Sequence, residues 1–209
     1  MIRTAPEGRW FIAGGIVIAL LFAAWGWWIA FVLWLPVAIW VIAFFRDPER
    51  PWRKGVDLIV APADGRVVDI RAVDEPAFFH GNAQRISIFM NVFDCHVNRY
   101  PADGVVAYRQ YNPGKFLHAA DEKASADNEQ STVGLETPRG KLLIRQIAGL
   151  IARRIVTDHP EGTAVHQGER LGMIRFGSRV DLFVPVGTEI LVKTGDATRV
   201  GITVVAKWA

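Results

Sequence analysis

Cysteine is all but missing. Cys95 is the chain's one thiol, which excludes an intrachain disulfide framework and fits a reducing compartment. In its apolar surroundings it reads as a small core residue. The five histidines fall in no HExxH spacing and have no paired cysteines beside them, so the sequence offers no metal site. Charge is absent from Trp10 to Phe45, a run of 36 residues with nothing more polar than tryptophan. Nor is there a large excess of either sign elsewhere, the formal net charge being +3. No nucleic-acid recognition motif accompanies that small surplus. It suits an anionic leaflet better, where each basic residue near the surface contributes about 1 kcal/mol.

What is present begins with the uncharged run itself. It is too long and too uniformly apolar for a soluble core helix. It is also about twice a signal-peptide h-region, with no small-x-small site and polar mature start behind it. Its nineteen Leu, Ile, Val and Phe residues favour insertion by roughly 8 kcal/mol on the translocon scale. The length exceeds one span of about 20 residues and falls short of two. That predicts a helical hairpin with Trp25-Gly26-Trp27-Trp28 at its tip, or else a single tilted span. Arg3 and Arg9 precede the run and Arg46, Arg50, Arg53 and Lys54 follow it. The positive-inside rule then puts both ends in the cytoplasm. Residues 1–50 read as a hydrophobic anchor in the cell membrane, and residues 51–209 as one soluble domain on its cytoplasmic side.

From Arg53 onward the pattern changes to short β-rich runs, at 58–60, 66–70, 85–90, 105–108, 141–156, 170–176, 182–184, 189–192 and 201–205. Ala63-Asp64-Gly65 and Ala102-Asp103-Gly104 punctuate them as turns. The predicted fold is mainly β, a Greek-key-like barrel or sandwich, with soluble helix expected only over 114–125. Tyr111 to Phe116 and Ala126 to Gln130 read as polar loops.

Near the end of the chain Gly177-Ser178 directly precedes an apolar run. Alone, the pair is ordinary turn punctuation. In context, Gly168-Glu169-Arg170-Leu171-Gly172-Met173-Ile174-Arg175-Phe176-Gly177-Ser178 resembles the self-processing site of the phosphatidylserine decarboxylase proenzymes, closest to their short, compact branch. Phe44-Phe45-Arg46-Asp47-Pro48-Glu49-Arg50 resembles that branch's membrane-border motif, and Pro62-Ala63-Asp64-Gly65 its Asp-Gly motif. Phe93-Asp94-Cys95-His96-Val97-Asn98-Arg99-Tyr100-Pro101 resembles its histidine loop. The resemblance covers nearly the whole chain.

The resemblance implies self-cleavage between Gly177 and Ser178, giving a β chain 1–177 and an α chain 178–209 that stay together as a heterodimer. Assembly beyond that is left open. Ser178 would become a covalent pyruvoyl group, so the implied cofactor is pyruvate made from the chain and not pyridoxal phosphate. That group would take the amine of phosphatidylserine as a Schiff base and yield phosphatidylethanolamine. Asp64 supporting His96 is the implied proton-transfer pair. Longer-branch members carry a second histidine where this chain has Arg99, which keeps His166 or a bound water open as the base. Arg99, Lys115, His118, Asn128 and Glu129 are the candidates for the lipid headgroup. Without the resemblance, the residues also fit a membrane-tethered β-barrel binding or scaffold module. They fit equally a membrane hydrolase in which Ser178, His96 and Asp64 carry out acyl transfer.

Overall fold

The computed structural model describes residues 3–114, 128–149, 154–175 and 178–209. The chain divides into two compact units, one up to Glu49 and one from Arg50 onward. In the first, a 3-10 turn (Pro6–Gly8) leads into α1 (Arg9–Ala24), and α2 (Trp28–Phe44) packs back against it. The indole Nε1 of Trp34 donates to the Gly15 carbonyl at 2.8 Å, and Ala5 N–H donates to the Phe45 carbonyl at 2.7 Å, closing the base. The expected hairpin is therefore present, and its turn lies at Trp25-Gly26-Trp27. Among the described residues one helix, the 19 residues Pro6–Ala24, is long and apolar enough to cross a membrane. α2 is shorter, at 17 residues, and carries Pro36 inside it.

The second unit is mainly β. Its described strands are β1 (Leu58–Val60), β2 (Gly65–Glu75), β3 (Gly81–Met90), β4 (Val97–Arg99), β5 (Gly104–Asn112), β6 (Gln130–Thr137) and β7 (Gly140–Ala148). They continue with β8 (Ile155–Thr157), β9 (Ala164–Val165), β10 (Arg170–Ile174), β11 (Ser178–Pro185), β12 (Glu189–Ile190), β13 (Ala197–Thr198) and β14 (Val204–Lys207). An eight-stranded, curled sheet runs in the order β13-β2-β3-β11-β7-β6-β5-β9. Two smaller sheets run β1-β14-β12 and β4-β10-β8.

Period-two alternation decides which side chains reach the core. Ile86 and Ile88 on β3, Leu142 and Ile144 on β7, and Val180 and Leu182 on β11 are fully buried in one cluster. Each contributes about 1.5–3 kcal/mol by leaving water. The same parity continues to Met90, Ala148 and Ser178, so the serine points to the core side at the end of its strand.

Two readings are corrected. The run 141–156 is not one strand, because β7 ends at Ala148. The supposed loop around 126–130 leads straight into β6, which buries Gln130, Ser131 and Thr132 as well as Val133. With polar residues on both of its buried faces, β6 shows no hydropathy alternation to read. The helix expected over 114–125 falls almost wholly outside the described residues.

Candidate active site

Several strand ends meet at one end of the large sheet. Arg66 pairs Phe89, Phe89 pairs Arg179, Arg179 pairs Ile147, and Ile147 pairs Gln130, forming a row across five strands. One residue beyond it, Ser178 stands between Met90 and Ala148. Ser178 is the first residue of a central strand and is fully buried. Its Oγ–H donates to the Met90 thioether at 3.4 Å. Gly177, the other half of the predicted cleavage site, lies outside the described residues, as do Lys115 and His118.

His96 is fully buried in the loop entering β4. Its Nδ1 lies 3.0 Å from the Asp94 carbonyl oxygen. A carbonyl can only accept, so Nδ1 carries a proton, and Nε2 is the ring atom that can gain or lose one. The His96 carbonyl accepts from Ile174 N–H at 3.3 Å, which ties the histidine to the end of β10. Ile174 is three residues before Gly177 in sequence.

Asp64 ends the loop before β2. Gly65 follows it at φ 147°, where any Cβ would come within 2.1 Å of the Phe89 carbonyl oxygen. The carboxylate is held by a two-pronged Arg50 bond, at 2.6 and 2.7 Å, and by Val200 N–H at 2.8 Å. Arg99 N–H donates to the Pro62 carbonyl at 3.0 Å, bringing the Asp64 loop against the strand that follows His96. Two strand spacings separate β2 from β11, roughly 10 Å, beyond direct hydrogen-bond reach between their backbones.

The remaining candidates divide. Asn128 and Glu129, read as loop residues, are buried beside the serine's neighbour. The Asn128 amide donates to the Ala148 carbonyl at 2.7 Å, and Ala148 N–H donates to the Glu129 carbonyl at 2.9 Å. The Tyr111 hydroxyl donates to Glu129 at 2.9 Å, and that bond holds the phenol above its ordinary pKa. The Arg99 guanidinium lies 4.4 Å from the Trp52 ring centre and donates to the Gly168 carbonyl at 3.0 Å. His166 is exposed, 3.7 Å from Asp103, away from the described contacts of Ser178. Cys95 is buried and in no disulfide, as read. Among the described residues, no cluster of metal-ligating side chains occurs.

Sequence reading missed four residues. Arg50, taken for part of a charged collar, holds Asp64. Met90, Asn98 and Gln146 form a buried polar group around Ser178: Asn98 donates to Met90 sulfur at 3.7 Å, and Gln146 donates to Asn98 at 2.8 Å. A polar residue on the core parity of an apolar strand, as Gln146 is in Leu142-Leu143-Ile144-Arg145-Gln146-Ile147, was the available signal.

Comparison with known proteins fits this arrangement. The family model described as phosphatidylserine decarboxylase matches residues 37–206. A phosphatidylserine decarboxylase proenzyme from Magnetococcus marinus is 48% identical over 202 residues, covering 95% of this chain and 92% of the relative. One from Symbiobacterium thermophilum is 44% identical, covering 97% of this chain and 94% of the relative. One from Salinibacter ruber reaches 51% over 170 residues, 80% of this chain and 75% of the relative. The class defined is that of enzymes, decarboxylases whose relatives are named as proenzymes. Within it, the chain belongs to the phosphatidylserine decarboxylase family.

Proposed function

We propose that this chain is a membrane-anchored decarboxylase that makes its own pyruvoyl group from Ser178 and converts phosphatidylserine to phosphatidylethanolamine. The observation that carries the reading is Ser178 itself, a fully buried hydroxyl at the start of a central strand in a chain of this family. Serine is a weak nucleophile toward its own backbone, so cleavage needs a base and a held geometry. His96 offers Nε2 as that base, with Asp64 as the supporting carboxylate. Ser178 Oγ attacks the Gly177 carbonyl carbon; the C–N bond between the two residues breaks as the nitrogen takes a proton, leaving an ester. Loss of the Ser178 α-proton and rupture of its Cβ–Oγ bond then free the Gly177 carboxylate. The dehydroalanine left behind takes up one water, releasing ammonia and leaving the pyruvoyl cap.

The site fits that group. Its register partners, Ala148 and Met90, are small or pliant and uncharged. The pyruvoyl group supplies an electron sink for the bonding pair of the departing carboxylate, and no pyridoxal phosphate is required. Buried Asn128 and Glu129 are the described candidates closest along the chain to the serine's neighbour and are proposed for the headgroup. The apolar helices anchor the chain, with both basic flanks on the cytoplasmic side.

Denaturing mass spectrometry tests the reading. The mature protein is expected as a 177-residue piece and a 32-residue piece (209 − 177), the shorter with a blocked N-terminus. Borohydride with substrate should fix the lipid amine on the shorter piece. Activity residing only in an uncut 209-residue form overturns the proposal.

A further inference from the structure

The two sides of the proposed cleavage site belong to different sheets. β10, ending at Ile174, lies between β4 and β8 in a three-stranded sheet, whereas Ser178 opens β11 between β3 and β7 in the large one. The chain leaves one sheet at Ile174 and enters the other at Ser178. A row of side-chain hydrogen bonds joins these sheets beside the crossing. Ser178 Oγ–H donates to Met90 sulfur at 3.4 Å, and the Asn98 amide donates to the same sulfur at 3.7 Å. Gln146 donates to the Asn98 oxygen at 2.8 Å and accepts from Thr157 Oγ1 at 3.0 Å. Thr157 has used its proton there, so Ser131 donates to it at 2.7 Å.

Asn98 and Thr157 are on β4 and β8, the two outer strands of the small sheet. Both pair with Gly172 of β10, so no side chain stands between them. Gly172 has φ 157°, and a Cβ there would lie 2.0 Å from the Val156 carbonyl oxygen. Gln146 comes from the large sheet and bonds both outer strands. Asn98 and Gln146 are fully buried, which makes every missing bond in the row costly.

We infer that Gln146 is a positioning residue for self-cleavage: by bonding Asn98 and Thr157 it fixes the small sheet against the large one, and through Asn98 and Met90 it aims the Ser178 hydroxyl. The inference rests on the self-cleavage reading above. The step that needs the Ser178 hydroxyl aimed is the cleavage itself, so the row acts first on maturation.

The test follows α-chain appearance in freshly synthesised full-length protein, together with decarboxylation per mole of α chain. Wild type and Ser178→Ala are the controls; a wild-type chain that never splits defeats the self-cleavage reading itself. With wild type splitting, Gln146→Leu is expected to split about tenfold more slowly or worse, both of its buried hydrogen bonds being lost. Any loss of turnover in its cut fraction should be several-fold smaller than the loss of splitting rate. Gln146→Glu keeps the shape. As a carboxylate it cannot donate to Asn98, so it should also split slowly at about pH 8. Relative to wild type at the same pH, its rate should recover toward about pH 5.5, as the raised carboxyl of a buried glutamate gains its proton. Gln146→Leu splitting at the wild-type rate overturns the inference. So does a Gln146→Glu variant that stays slow at every pH while turnover falls in parallel, the mark of a merely structural residue.

Discussion

At the scale of residues, the pair proposed for maturation is His96 with Asp64, and they are held very differently. His96 has its Nδ1 proton fixed on a backbone carbonyl, which orients the ring. Asp64 is locked by Arg50, with side chains only 14% and 11% exposed. His96→Ala is expected to slow α-chain appearance by roughly 10²-fold or more, the usual contribution of a placed base. A normal time course in that variant would remove His96 from cleavage. Arg50→Ala leaves a nearly buried carboxylate without its cation and should destabilise the domain by about 3 kcal/mol, read from its urea midpoint. Asp69 sets an acid limit. Burial raises its carboxyl, but hydrogen bonds and charge from Arg71 and Arg85 outweigh that and hold it below the ordinary range. A depressed carboxyl stabilises above its unfolded value and loses that contribution as the pH falls through its folded one. The stability gap between wild type and Asp69→Asn should therefore close only on strong acidification, and a gap unchanged with pH would discount the ion pair.

At the scale of elements, the hairpin and most strands were legible because their patterns are local. A 36-residue uncharged run and alternating apolar residues need no tertiary information. The Asp64 and His96 loops and Ser178 were singled out through motif alone. What sequence could not supply was pairing. Nothing in Gln130-Ser131-Thr132 announces a buried strand, and nothing in Arg50 says that it will meet Asp64. Nor could the Arg99 contact with Trp52, 47 positions away, be read from either residue. The hairpin's role can be measured directly. A chain lacking residues 1–49 should leave the membrane fraction and bind anionic vesicles only weakly, with binding lost in high salt. Salt-resistant binding would mean that the β domain carries a lipid-inserting surface of its own.

At the scale of the whole molecule, the segment after Ser178 is woven through the domain. β11 is paired along its length with β3 and over six positions with β7, β13 joins β2, and β14 lies between β1 and β12. Val200 also donates to Asp64. The two pieces should therefore elute together on gel filtration after cleavage and part only in denaturant; separation in native buffer would contradict this weave. The same placement governs timing during synthesis. β11 is made after both strands that it joins, and ribosomes add about 5–20 residues per second. The surroundings of Ser178 can assemble only once β11 has emerged and paired with both. If the proposed self-cleavage holds, a chain truncated before that point would stay uncut, and maturation would double as a proofreading step on the synthesised polypeptide.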